Sequence, residues 1–149
     1  MNDQLLRLLF LVQLGTTLFM TGLIWFVQVV HYPLFAGVGG ADFCRYEARH
    51  RVLTSWVVGP PMLFEAATAV LFAWYAPAQI PAWSIWTGLV LVGVIWASTA
   101  LFQIPCHEML SQSFDAAAQR KLVFTNWLRT IAWSARAGLL LWMTWTLIR

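Results

Sequence analysis

Residues 83–104 read WSIWTGLVLVGVIWASTALFQI and contain no charged side chain. A helix needs about 20 mostly apolar residues to cross a bilayer, and this stretch supplies them. A barrel strand would alternate polar and apolar residues; here the apolar run is continuous. Three further stretches have the same character: 5–30, 52–75 with Glu65 inside it, and 123–148 with Arg129 and Arg136 inside it. Composition agrees. Of 149 residues, 60% are hydrophobic and 10% charged, whereas a soluble domain carries about 25% charged residues. The reading is all-α: an integral membrane four-helix bundle, with residues 1–149 forming a single transmembrane domain. The lipid bilayer is the first partner it implies.

The connections follow. APAQIPAW at 76–83 is a short turn bounded by Pro77 and Pro81, which suits the close of one helix and the start of the next. The other two connections are expected to be longer loops holding most of the charge. Gly15, Gly22, Gly88, Gly93 and Gly138 offer small surfaces for close helix approach. No internal repeat stands out. The first apolar run, 8–30, is too long for a signal-peptide core and ends in bulky residues.

Lys and Arg set the orientation. Arg45, Arg49, Arg51, Arg120 and Lys121 share one end, against Arg7 and Arg149 at the other. Loops one and three are therefore expected in the cytoplasm and both termini outside. Cys44 and Cys106 would then face a reducing compartment, without a disulfide. The scattered basic residues lack the stripe that nucleic acid requires, so no nucleic-acid partner is expected.

Polar residues gather at the loop-one and loop-three end. His31 closes the first span, His50 precedes the second and His107 follows the third. Gln28 and Gln103 lie one turn before His31 and His107. Asn126, Arg129, Trp133 and Arg136 step by three or four residues along one face of the last helix. A charge at the bilayer centre costs at least roughly 2.5–3.5 kcal/mol on insertion scales, so that face must point inward. Glu65 and Arg136 lie at matching depths and are expected to pair across the bundle. Gly59-Pro60-Pro61 stand inside the second span, where missing amide donors mark either a pocket or a packing bend.

Imidazoles at one level admit three kinds of chemistry. His31 or His107 could act as acid or base near neutrality, with Arg129 stabilising a phenolate or enolate. Gln28, Gln103, Asn126, Trp127 and Trp133 would then line the substrate pocket. Alternatively His31, His50 and His107 could hold a metal, supplemented by Glu47, Glu108 or Cys106. A b-type haem between His31 and His107 is a narrower form of that idea. The cofactor is thus none, a His-bound metal or haem. Trp74, Trp83, Trp86, Trp142 and Trp145 read as an aromatic belt at the opposite end.

Ile104-Pro105-Cys106-His107, then a short acidic and alanine-rich loop, then Asn126-Trp127-Leu128-Arg129-Thr130, resemble the anthrone-oxygenase-like group of small four-helix membrane proteins. The resemblance implies oxidation of a polycyclic phenolic without a tightly bound cofactor. It places Asn126 and Arg129 in the pocket with Trp127 nearby. His107 departs from the polar amide expected there, and the His31-Tyr32-Pro33 step has no counterpart in the group. The sequence therefore points to a membrane oxidoreductase or oxygenase acting on a lipophilic aromatic or quinone-like molecule. The other reading is a non-catalytic binding or transport component, in which Glu65 and Arg136 serve as a switch and the chain forms a homo-oligomer.

Overall fold

The computed structural model describes residues 2–38 and 40–149. Four helical rods account for nearly all of them: α1 (Asp3–Gly37), α2 (Gly40–Tyr75), α3 (Ala82–Gln112) and α4 (Ala116–Ile148). All four are long and apolar enough to cross a membrane. Asn2 caps α1, its side chain accepting from the Leu5 amide at 2.8 Å. Asp115 caps α4 through the Ala117 amide at 2.7 Å. Each cap satisfies an amide that the first turn leaves open.

The rods are longer than the apolar runs. At 1.5 Å per residue α1 is roughly 50 Å long, against a hydrocarbon core of about 30 Å. The excess lies at the histidine end. The long polar loops expected there are instead helix: residues 40–51 continue α2, and residues 104–112 continue α3. The physical reason is that these segments are amphipathic. Phe43 and Glu47 are buried, as are Cys106 and Leu110, at helical spacing, so packing carries the helix beyond the membrane-crossing run.

The rods form a ring in which α1 packs on α2 and α4, and α3 packs on α4 and α2. The outside is apolar: Trp56, Trp74 and Phe124 are each more than three-quarters exposed. The inside is mixed, with Thr17, Glu65, Asn126 and Arg136 all buried. This is what a lipid-facing surface demands of a bundle. Trp83 and Trp142 pack 5.1 Å apart within the tryptophan-rich end.

Several buried positions correspond between the two halves of the chain. Thr17 and Gly88, Ile24 and Ile95, Met62 and Trp133, Glu65 and Arg136, and Phe72 and Met143 are buried pairs, and each pair differs by 71 in residue number. The hairpin α1–α2 and the hairpin α3–α4 thus share one burial register. The residue types differ at nearly every pair, so the correspondence lies in burial and not in identity.

Two π-helical turns recur 72 residues apart, one residue out of that register. Val27–His31 in α1 and Thr99–Gln103 in α3 each lie just before a proline, Pro33 and Pro105. A proline ring clashes with the carbonyl four residues earlier; here those are Val29 and Leu101, inside the widened turns. The wider turn makes room for the ring and rotates everything beyond it. Tyr32 and Cys106 are thereby brought into the interior. In α2 the helix runs through Pro60 and Pro61 without a break.

Candidate functional site

Glu47, His50 and His107 converge at the histidine end, each offering one ligand-type atom within 4.8 Å of the others. Glu47 and His50 lie one turn apart on α2, and His107 comes from α3 just past its π-turn. Glu47 is fully buried. Its Oε1 lies 2.5 Å from His107 Nδ1, while its Oε2 has no partner. His107 Nε2 is 2.9 Å from the Tyr32 hydroxyl. A proton on Nδ1 shared with Glu47 leaves Nε2 to accept from Tyr32, so the three form a chain of the kind that orients an imidazole between a carboxylate and a hydroxyl.

His31 extends the cluster. Its Nε2 is 3.1 Å from His50 Nδ1, and Thr54 Oγ1 lies 3.1 Å from the same nitrogen. Phe35, fully buried, packs against His31, His50 and His107 with ring centroids 5.1, 5.2 and 6.2 Å away. It wedges the imidazoles in place.

Beside this cluster is a cavity of about 290 Å³. Met20, Leu23, Ile24, Val27, Val58 and Met62 give it an apolar wall; Tyr32, His50, Thr54, Gln103, His107 and Arg129 give it a polar end. The wall at Val58 and Met62 flanks Pro60 and Pro61. Arg129 is 94% buried, and its Nε has no partner. Its guanidinium lies over the Trp133 ring at 5.1 Å and beside the Tyr32 hydroxyl. Among the described residues no carboxylate stands within 4.0 Å of it. A buried cation without a counter-charge is costly, and this one borders open space.

A second buried cluster lies deeper in the bundle. Glu65 Oε1 accepts from Thr17 Oγ1 at 2.5 Å and from Arg136 Nε at 2.9 Å. Its Oε2 accepts from Trp133 Nε1 at 2.9 Å. Arg136 Nη1 donates to the Gly88 carbonyl at 2.7 Å. The contact is close: a Cβ at residue 88 would meet Nη1 at 3.0 Å, so the guanidinium would have to give by a few tenths of an ångström. Glu65 and Arg136 therefore face one another across the bundle, tied to all four rods. Neither lines the cavity.

No protein-family model, curated protein or solved structure matches the chain.

The structure sorts the sequence candidates. Arg129, His107, His50 and Gln103 reach the cavity. His31 stands behind His50. Gln28 and Asn126 do not reach the cavity: Gln28 Oε1 accepts from Asn126 Nδ2 at 2.9 Å, and Gln28 Nε2 donates to the Val123 carbonyl at 3.1 Å. They stitch α1 to α4. Gln103 is bonded to Ser98 and Thr125, which fixes it at the cavity edge. Trp133 is buried beneath Arg129 and serves Glu65. Trp127 faces outward, 40% exposed, edge-on to Trp25 at 5.7 Å.

For a metal, the geometry replaces the three-histidine set with Glu47, His50 and His107, His31 standing one shell out. The residues do not fit a haem between His31 and His107. The Nε2 atoms an iron would need are turned onto His50 and Tyr32, and the His50 ring lies within 4.7 Å of the His31 ring and 5.4 Å of the His107 ring. Cys44 and Cys106 are free thiols, Cys106 being packed among Tyr32, Phe35 and Phe43.

Tyr32 and Phe35 are functional-site residues that polarity alone does not select. Glu47 has a signal: Glu47-Ala48-Arg49-His50 is an E-x-x-H step, which puts carboxylate and imidazole on one helix face.

Proposed function

We propose that the protein is a small membrane oxidoreductase that admits a lipophilic phenol or hydroquinone from the bilayer into the cavity near the cytoplasmic face. One observation carries this reading: Arg129 is a buried, carboxylate-free cation in a cavity with one apolar wall and one polar side, which Arg51 also lines. Pockets of this kind take an apolar body and fix it by a few polar groups. The aromatic ring would lie against Met20, Ile24 and Met62, with its hydroxyl oxygen at Arg129. Donors aimed at a developing anion in a dry site are worth more than in water, so Arg129 favours the phenolate, the form that gives up electrons. The proton passes towards His107, through Tyr32 or directly. A hydroquinone then loses two electrons and two protons in all, and dioxygen, itself soluble in lipid, gains both to give quinone and hydrogen peroxide.

The resemblance to anthrone-oxygenase-like proteins points the same way, through Arg129. The excess of Lys and Arg at this end supports a cytoplasmic opening. For the transport reading the geometry offers less: Glu65 and Arg136 are mutually bonded and away from the cavity.

The test is hydroquinone-dependent oxygen uptake by the full chain in lipid nanodiscs. The expected result is uptake with peroxide release in wild type and its loss in Arg129→Gln. Uptake that is equal in both, or absent from wild type across short- and long-tailed hydroquinones, contradicts the proposal.

A further inference from the structure

We infer that Glu47, His50 and His107 form a binding site for one first-row divalent transition-metal ion, with its open positions toward the Arg129 cavity. This goes beyond the phenol reading, because the ligand set stands whatever the substrate.

Three observations carry it. First, one carboxylate and two imidazoles from two rods place their donor atoms within 4.8 Å of one another. Ligand bonds of about 2.0–2.2 Å need donors some 3–3.5 Å apart, so modest side-chain rotations close the set. Second, Glu47 is a fully buried carboxylate with one oxygen, Oε2, unpartnered. Such an oxygen demands a cation or a donor, and among the described residues nothing supplies one. Third, an outer shell is already in place. His31 Nε2 and Thr54 Oγ1 both reach His50 Nδ1, which leaves His50 Nε2 as its free donor. Tyr32 sits on His107 Nε2. Metal-bound imidazoles are commonly held in this way through their second nitrogen.

Two imidazoles and a carboxylate with open positions suit Fe²⁺ and related ions. The ion would take the place of the proton now held between Glu47 and His107, and that proton leaves to solvent. A phenol in the cavity would then bind the ion as its phenolate, its proton leaving to solvent, and Arg129 would still face the anion.

The experiment is titration of the chelator-stripped full chain in detergent with Co²⁺, followed by visible absorption and elemental analysis. The expected result is one Co²⁺ per chain, with the d–d bands of bound cobalt. Glu47→Gln and His50→Gln should each weaken binding by well over about tenfold, and His31→Ala by about tenfold as an outer-shell change. Arg129→Gln should keep the cobalt spectrum while losing hydroquinone oxidation, so failure of the metal site and failure of the phenol reading are told apart. If a ligand variant does not fold, X-ray absorption on the wild-type Zn²⁺ form serves instead, with two imidazoles and an oxygen donor expected. Sub-stoichiometric cobalt in wild type, a spectrum unchanged by Glu47→Gln and His50→Gln, or a zinc shell without imidazole would overturn the inference.

Discussion

The two buried charge clusters, one at Glu65–Arg136 and one around Glu47 and Arg129, differ in what their polar atoms touch. At Glu65 both carboxylate oxygens accept hydrogen bonds, three in all, and Arg136 is held by Glu65 and by the Gly88 carbonyl. At the histidine end, Glu47 leaves an oxygen unpartnered within the imidazole cluster, and Arg129 leaves Nε unpartnered at the cavity that His50 and His107 also line. The first arrangement pairs its two charges and joins the rods, leaving only Arg136 Nη2 without a partner among the described residues, and the cavity does not reach it. The second carries needs that an incoming molecule could meet. Burial of charge in a membrane bundle is thus not by itself a sign of a site; unsatisfied charge beside open space is the sharper one.

The contrast can be broken most severely at Glu65. Glu65→Ala should lower stability by about 3–5 kcal/mol, since it strands Arg136 without its counter-charge. Thermal unfolding in detergent reads this. The folded fraction should still bind ligand at the cavity; loss of binding with stability intact would reverse the assignments. Arg129→Gln should do the opposite: stability unchanged or raised, and affinity for a phenol or hydroquinone lowered by about 10–100-fold. That range corresponds to the roughly 1.5–3 kcal/mol of a charge-assisted hydrogen bond.

Two smaller changes sharpen the same comparison. Gly88→Ala presses a methyl against Arg136 Nη1 and should cost about 1–2 kcal/mol, mostly through the hydrogen bond to the Gly88 carbonyl. Hydroquinone affinity should not move. Asn126→Ala removes the bond to Gln28 and should cost about 1 kcal/mol, again without effect on the cavity. A large affinity loss in Asn126→Ala would restore Asn126 as a pocket residue, as the family resemblance implies.

Much of the frame was legible in the sequence, because membrane crossing is a matter of length and apolarity. The facing of Glu65 and Arg136 follows from counting residues inward from the charged ends. What misled was the charge at 42–51 and 104–112. Charged side chains look like loop, yet Phe43, Glu47 and Cys106 recur at helical spacing and pull both segments into the packed bundle. The π-turns left only indirect traces in Pro33 and Pro105. Without the rotation they impose, Tyr32 could not be assigned to the interior. Pairs such as Met62/Trp133 and Glu65/Arg136 share a location but no chemistry, so sequence identity does not reveal their correspondence. Gln28 and Asn126 are polar at the right level, yet their hydrogen bonds run to each other and to the Val123 carbonyl, not to the cavity.

The histidine-end cluster holds a cation without a counter-charge beside open space and needs a bound molecule, whereas the Glu65–Arg136 cluster is charge-paired and lies away from the cavity. Ligand-induced thermal shift tests it most directly, with wild type, Arg129→Gln and Glu65→Ala measured side by side with and without a long-tailed hydroquinone. The account predicts that hydroquinone raises the unfolding temperature of wild type and Glu65→Ala but not of Arg129→Gln, and that Arg129→Gln without ligand unfolds no lower than wild type. An Arg129→Gln protein that unfolds as early as Glu65→Ala, yet gains as much from hydroquinone as wild type, would contradict it.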